Sequence, residues 1–306
     1  MFFVLFSLCV AHEWDDIVMQ VNKRSDVSWV SGHNKRFEVM SKVQILGLMG
    51  AKMPQESPLI PVINEKRVDL PSEYDCQQEY PQCTTIDHVY DQGYCGSCWA
   101  MSTFESLQDR FCIHSNGSMT PLLSAQHLVS CGPCNGCFGG WPTTAFSFIQ
   151  KNGLTTEECI PYQMGICHHH PCDYWKTPKC NRTCYPNTKV PIDKEKYYVK
   201  SQARIGSNEE SIRTEIMNNG PVTGVFTVYE DFMTYKSGVY HHVSGKQLGL
   251  HAIKIVGWGE ENGEKYWKVV NSWNTDFGME GVFFIKRGRN ECGIESNIVS
   301  GMPRIN

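Results

Sequence analysis

The rhythm of apolar positions changes partway along the chain. From 98 to 113, Met101, Phe104, Leu107 and Phe111 recur at steps of three and four, which predicts an amphipathic helix whose first turn contains Cys98. Shorter helices are expected over 124–130 and 143–151, the second stopped by Gly153. Ser207 or Asn208 is placed to cap a further helix through Ile212, Ile216 and Met217, closed by Asn219-Gly220-Pro221. Beyond it the pattern turns to Val, Ile, Phe, Tyr and Trp between glycines. Val222–Val228, Ala252–Trp258, Tyr266–Asn271 and Val282–Lys286 read as strands. A helical half followed by a β half predicts an α+β fold of two packed lobes.

The segment ahead of these elements is different. Residues 12 to about 69 are polar and lack cysteine, with one short helix expected around Phe37 to Met49. Three prolines from Pro54 to Pro61 then mark an extended linker. Phe2 to Val10 is apolar and runs through Ala11 into acidic Glu13, Asp15 and Asp16. It is too short to span a bilayer and reads as a secretory signal core without the usual basic start. The competing reading is a buried N-terminal strand. No later stretch approaches 18 apolar residues, and no internal repeat is seen.

Composition narrows the class. The chain has 306 residues, 41% hydrophobic and 20% charged, which is a globular balance with room for a real core. Its net charge of -4 comes from interspersed charges, and no Lys/Arg cluster reaches five residues, so nothing points to nucleic acid. The fifteen cysteines are concentrated between 76 and 184, with spacings such as Cys131-x-x-Cys134-x-x-Cys137. Zinc ligation and disulfides both fit that spacing; an exported chain favours disulfides. Asn116-Gly117-Ser118 and Asn181-Arg182-Thr183 are glycosylation triplets of low specificity.

The most informative segment is Asp91-Gln92-Gly93-Tyr94-Cys95-Gly96-Ser97-Cys98-Trp99. A thiol attacks only as the thiolate, and both a helix N-terminus and a nearby imidazolium stabilise that anion. Gly93 and Gly96 let the backbone approach a substrate closely and expose amides. Taken alone, Cys95 and Cys98 could equally be a redox or zinc pair, His251 a core histidine beside the apolar run Ala252–Val256, and Asn271 a turn residue.

Together the motifs resolve further. Cys95-Gly96-Ser97-Cys98-Trp99, then Gly249-Leu250-His251-Ala252-Ile253, then Val270-Asn271-Ser272-Trp273-Asn274 resemble the papain family of cysteine proteases in residue type and order. The likeness is greatest to its cathepsin B branch and covers nearly the whole chain. It includes Val21-Asn22-Lys23-Arg24, Trp29 and Gly32-His33-Asn34 in the leader, Leu70-Pro71, and Cys292-Gly293-Ile294-Glu295-Ser296. The resemblance implies a papain-like two-lobed fold behind an N-terminal propeptide. It implies a signal peptide over 1–11, a propeptide over 12–69 and a catalytic domain over 70–306. The left lobe would span about 82–180 and the right lobe about 181–295, with the ends crossing over.

It further implies Cys98 as nucleophile, His251 as its base, Asn271 orienting His251, and Gln92 as an oxyanion donor. Trp273 would shield the His251–Asn271 bond. Gly139, Gly140, Trp141, Pro142, Val225, Ala252 and Glu295 would bind substrate, with Glu295 favouring arginine two residues before the scissile bond. Phe138 departs from the asparagine usual before those glycines. The implied disulfides are Cys83–Cys112, Cys95–Cys137, Cys131–Cys134, Cys159–Cys184 and Cys167–Cys172, with Cys76 a candidate partner for Cys180 and Cys292 a free buried thiol. His88, His114 and His127 are expected to be structural or exposed, and His241-His242 solvated.

Cys167-His168-His169-His170-Pro171-Cys172 falls where that branch carries a histidine loop that removes C-terminal dipeptides. Only four residues separate its cysteines, so the expectation is an endopeptidase with little or no dipeptide release. Those histidines could instead bind zinc, but the expectation is no metal and no cofactor. Expected partners are protein and peptide substrates, the chain's own propeptide and cystatin-type inhibitors. Expected locations are the secretory pathway, then an acidic lysosome-like vesicle or the cell exterior, as a monomer. Two other classes compete: an inactive homologue that only binds, and a zinc or redox protein built on the Cys-x-x-Cys pairs.

Overall fold

A computed structural model of the protein describes residues 14–53, 60–66, 69–164, 176–185 and 191–305. The leader contributes α1 (Asp15–Asn22), β1 (Trp29–Ser31), α2 (Lys35–Glu38), α3 (Lys42–Gly47) and β2 (Val62–Ile63). The body opens with β3 (Tyr74–Asp75) and α4 (Cys76–Glu79). Three helices follow: α5 (Cys98–His114), α6 (Ala125–Cys131) and α7 (Pro142–Asn152). Next come β4 (Val199–Ile205), α8 (Glu209–Asn219), β5 (Val222–Tyr229), β6 (Tyr235–Tyr240), β7 (Gln247–Glu261), β8 (Glu264–Val270), β9 (Val282–Lys286) and β10 (Ile298–Pro303).

The strands form one sheet in the order β1-β6-β9-β8-β7-β5-β10-β4-β2, with β3 beside β7. Two cores result. Trp99, Phe104, Leu107, Phe111, Leu128 and Phe146 fill the one between α5, α6 and α7. Phe226, Phe232, Trp258, Trp267, Trp273 and Phe283 fill the one over the sheet. Helix α5 lies between them and is buried along nearly its whole length. Its polar groups are therefore paired across the seam. Lys254 Nζ reaches Asp109 at 2.8 Å with both side chains wholly buried, and Arg110 reaches Glu215 at 2.8 Å. The α+β expectation is met.

The leader holds both ends of the sheet. β1 runs antiparallel to β6, and β2 runs parallel to β4. Trp29 packs its ring 5.1 Å from Tyr240 and donates its indole N–H to the His241 carbonyl at 3.0 Å. Phe37 meets Trp273 edge-on at 5.4 Å.

Several expectations change. The helix expected from Phe37 to Met49 is two pieces, because Ser41 starts α3 with a reciprocal capping box to Gln44. Helix α1 and strands β4, β6 and β10 were not foreseen. Gly238 at φ +84 inside β6, and Gly301 and Pro303 inside β10, disguise those strands. β7 extends well beyond Ala252–Trp258 because residues 247–250 continue its ladder with β5.

Among the described residues the disulfides are Cys83–Cys112, Cys95–Cys137, Cys131–Cys180 and Cys159–Cys184. Cys131 thus joins Cys180, not Cys134, and Cys180 does not join Cys76. The reason is direction. Cys131 ends α6 facing the segment 180–181, whereas the Cys134 sulfur accepts from the Trp141 backbone N–H and lies beneath Gly140. Cys76 is free and wholly buried; Cys292 is free but only half-buried. Cys167–Cys172 lies outside the described residues. His242 is not simply solvated: it stacks on Tyr229 at 3.7 Å and meets buried Asp231 at 3.1 Å.

Candidate active site

Ser97 leads into α5, and Cys98 is its first residue. The thiol therefore sits at the positive end of a 17-residue helix. It is also wholly buried, because the leader lies on it. Gly50 and Ala51 bridge Leu250 and Gly140, both in parallel orientation. Lys52 N–H donates to the Gly140 carbonyl at 2.9 Å, and Gly140 N–H donates to the Gly50 carbonyl at 2.9 Å. Ala51 packs with Cys98, Val225 and Ala252. Any side chain at Gly50 would fall 1.8 Å from the Gly96 carbonyl oxygen, so close passage of the strap requires glycine there.

β7 carries His251, whose Nε2 meets Asn271 Oδ1 at 2.7 Å. The same oxygen accepts from Ser272 N–H at 2.8 Å, and Trp273 stacks on the imidazole at 4.4 Å. His251 Nδ1 is buried with no hydrogen-bond partner, as are Asn271 Nδ2 and Trp273 Nε1. Burial pushes the Cys98 thiol up to about 11, against backbone hydrogen bonds from Ala252, Gly50, Trp99 and Ala51. Burial likewise brings His251 down to about 4, against the hydrogen bond to Asn271. With the leader seated, both groups are therefore uncharged through the neutral range.

Gln92 is fixed at every atom that can be fixed. Its side-chain oxygen accepts from Ser272 Oγ at 2.7 Å, and its backbone carbonyl accepts from the Tyr162 hydroxyl at 2.9 Å. That leaves its Nε2 facing the cleft, donating to the Cys95 carbonyl at 2.8 Å and to the leader's Leu48 carbonyl at 3.0 Å. Leader Arg36 clamps Asp91 with two bonds of 3.0 and 2.9 Å and also reaches the Trp273 and Gly93 carbonyls. Ser272, Tyr162 and Arg36 were not singled out in the sequence. Ser272 lay inside a recognised segment; Tyr162 and Arg36 carry no local signal.

Gly139, at φ +104, and Gly140 form the strip under the strap, and Trp141 and Pro142 turn from it into α7. Trp141 carries the leader's Lys52 ammonium 4.5 Å from its ring centre. Val225 and Ala252 face each other across β5 and β7. Glu295 is placed differently from its expected role. It is buried, accepting from Trp267 Nε1 at 3.0 Å, Gly288 N–H at 2.6 Å and Asn290 N–H at 2.9 Å. It braces the turn before β10 and presents no open carboxylate for an arginine. Among the described residues no group of three or more His, Cys, Asp or Glu side chains could hold a metal ion; His168–His170 lie outside them.

Comparison with known proteins shows the family and the fold. Residues 70–302 match the family model for papain family cysteine proteases. The chain is 38% identical to a cathepsin B-like cysteine proteinase of Schistosoma japonicum, covering 94% of this chain and 90% of that one. It is 36% identical to cathepsin B-like cysteine proteinase 6 of Caenorhabditis elegans, covering 95% and 84%. Its fold superposes on procathepsin B S9 of Trypanosoma congolense with a TM-score of 0.87 at 36% identity, covering 95% of this chain and 98% of that one.

Proposed function

This chain belongs to the papain family of cysteine proteases, in its cathepsin B-like group, and on that premise we propose that it is a latent endopeptidase acting through Cys98 and His251. The observation that carries the reading is the orientation of His251. One ring nitrogen is held by Asn271 under Trp273, and the other is left without a partner, on a chain whose Cys98 begins a helix. His251 takes the thiol proton, and the thiolate attacks the scissile carbonyl carbon. The carbonyl oxygen becomes an anion held by Gln92 Nε2–H and the Cys98 backbone N–H. His251 then protonates the leaving amine, giving a thioester. Water, deprotonated by the same imidazole, attacks that thioester and releases the acid and the free thiol. Removing the Gln92 amide should cost on the order of 3 kcal/mol in the transition state.

The leader, residues 12–69, keeps this machinery silent. Ala51 seals the thiol from water, and the Leu48 carbonyl holds the Gln92 amide where a substrate oxygen would sit. Gly139 and Gly140 pair with the backbone of an extended peptide, and Trp141, Pro142, Val225 and Ala252 line the pocket of the second residue before the cut. Disulfides among the described residues support a secretory route, ending in an acidic vesicle or outside the cell. No described helix is long and apolar enough to cross a membrane.

The test is covalent labelling of leader-trimmed protein with a thiol-directed epoxide. Labelling should vanish in Cys98→Ala and be indifferent to a zinc chelator; a label that persists in Cys98→Ala, or disappears with chelator, sinks the reading. The same trimmed enzyme should cut free-acid and C-terminally amidated peptides at similar rates. Rapid dipeptide release from the free acid alone would replace the endopeptidase assignment with an exopeptidase.

A further inference from the structure

An oxyanion site needs two N–H groups aimed at one point, each held within about 0.5 Å of its place. Here the donors lie on either side of a bend: Gln92 Nε2 in the segment before α5, and the N–H of Cys98, the first residue of α5. One phenol joins the two sides. The Tyr162 hydroxyl donates to the Gln92 carbonyl at 2.9 Å and lies 2.7 Å from Ser97 Oγ. A phenol has a single proton, so with that proton on the Gln92 carbonyl the Ser97 hydroxyl is the donor in the second bond. Ser97 is wholly buried and occupies the N-cap of α5, where a serine ordinarily turns its oxygen onto a free helix N–H. It makes no such cap bond. The helix start forgoes a stabilising contact of its own, and the hydroxyl goes to Tyr162 instead. Tyr162 is itself held in place. Its N–H donates to Glu157 Oε1 at 2.6 Å, the Ile160 carbonyl accepts from Ser124 Oγ at 2.6 Å, and Gln163 N–H donates to Gln126 Oε1 at 2.9 Å. All of these partners belong to the body, so none departs with the leader.

We propose that Tyr162 is a positioning residue for the reaction: its hydroxyl fixes the spacing between Gln92 and the start of α5, so that Gln92 Nε2–H and the Cys98 N–H converge on the carbonyl oxygen as it gains charge. The proposal rests on the peptidase reading above. Tyr162 takes no part in bond making; it acts through Gln92 and Ser97. Gln92 is already tied to the other lobe, its side-chain oxygen accepting from Ser272 Oγ and its N–H donating to the Ser272 carbonyl at 2.9 Å. Ser272 therefore sets the amide relative to Asn271 and His251, and Tyr162 sets it relative to the nucleophile. A donor that drifts loses more against the transition state than against the bound substrate, because the developing anion is what these hydrogen bonds hold. The signature is a fall in kcat with little change in KM.

Tyr162→Phe deletes one oxygen and keeps the ring. On the trimmed enzyme it should lower kcat about three- to tenfold and leave KM within about twofold of the parent's. Epoxide labelling of Cys98 forms no tetrahedral oxyanion, so its rate should stay within about twofold of the parent's, a readout that general damage to the site would move. In a Gln92→Ala background, Tyr162→Phe should cost at most about twofold, because the donor it orients is gone. Should Tyr162→Phe fail to fold, Ser97→Ala breaks the other half of the bridge and carries the same expectations of lower kcat, steady KM and steady labelling. An unchanged kcat, an equal fall in labelling, or a full additional loss in the Gln92→Ala background overturns the proposal and leaves the peptidase reading intact. A parent enzyme that neither cleaves nor labels overturns both.

Discussion

Cys98 is pulled two ways. The start of α5 favours its thiolate, and burial beneath Gly50 and Ala51 opposes it; with the leader seated, burial wins and the thiol stands at about 11. The imidazole at about 4 offers no counter-charge. Iodoacetamide alkylation of Cys98 in the untrimmed chain should therefore stay slow through neutral pH and rise only as pH approaches 11. Trimming should move that rise several units down; identical profiles before and after trimming would contradict the account. The segments that carry Cys98, His251, Asn271 and Gln92 stand out in the sequence because each is a dense local motif, and the fold sets His251 on Asn271. The outward or inward aim of a side chain is not local. Glu295 shares its segment with a recognisable motif, yet whether it faces the cleft depends on Trp267, Gly288 and Asn290. Cys131 is a like case: the family resemblance implied Cys134 as its partner, but the fold pairs it with Cys180 and leaves the Cys134 sulfur beneath Gly140.

At the scale of elements, α3 delivers the strap to the cleft, and its start depends on one serine. Ser41 accepts from Gln44 N–H while the Gln44 side chain returns to Ser41 N–H. Ser41→Ala should loosen α3 by about 1 kcal/mol. Amide hydrogen exchange over 44–48 should accelerate, and untrimmed protein should label faster at Cys98; unchanged exchange would mean that tertiary contacts alone hold the helix. Helices α5 to α8 were readable because their apolar residues recur at helical spacing, and Asn208 does cap α8. Strands β4, β6 and β10 were not, because their pairing partners and not their own alternation make them strands.

Across the whole molecule, the two lobes meet on buried charge. Glu105 on α5 is wholly buried near Lys254 on β7 and Asp109 on its own helix, and one of its oxygens lacks a partner. Burial, offset by Lys254 and reinforced by Asp109, raises it to about 8 from an ordinary 4.5. A carboxyl whose folded pKa exceeds its unfolded one contributes stability that is complete below 4.5 and is lost as pH climbs towards 8. Glu105→Gln should flatten that decline, narrowing the difference in thermal stability between pH 5 and pH 8 by up to a few kcal/mol. An equally steep decline in the variant would place the alkaline weakness elsewhere. The leader spans this same seam, its β1 and β2 forming the two edges of the sheet against β6 and β4 while its middle crosses the cleft. While the backbone is continuous, the strap is presented to its site at an effective concentration on the order of millimolar, whatever the dilution. Once the backbone is cut, the same contacts belong to a dissociable ligand, and mass action governs them. A crowded compartment and a dilute fluid can then hold the same nicked protein in different states, silent in one and active in the other.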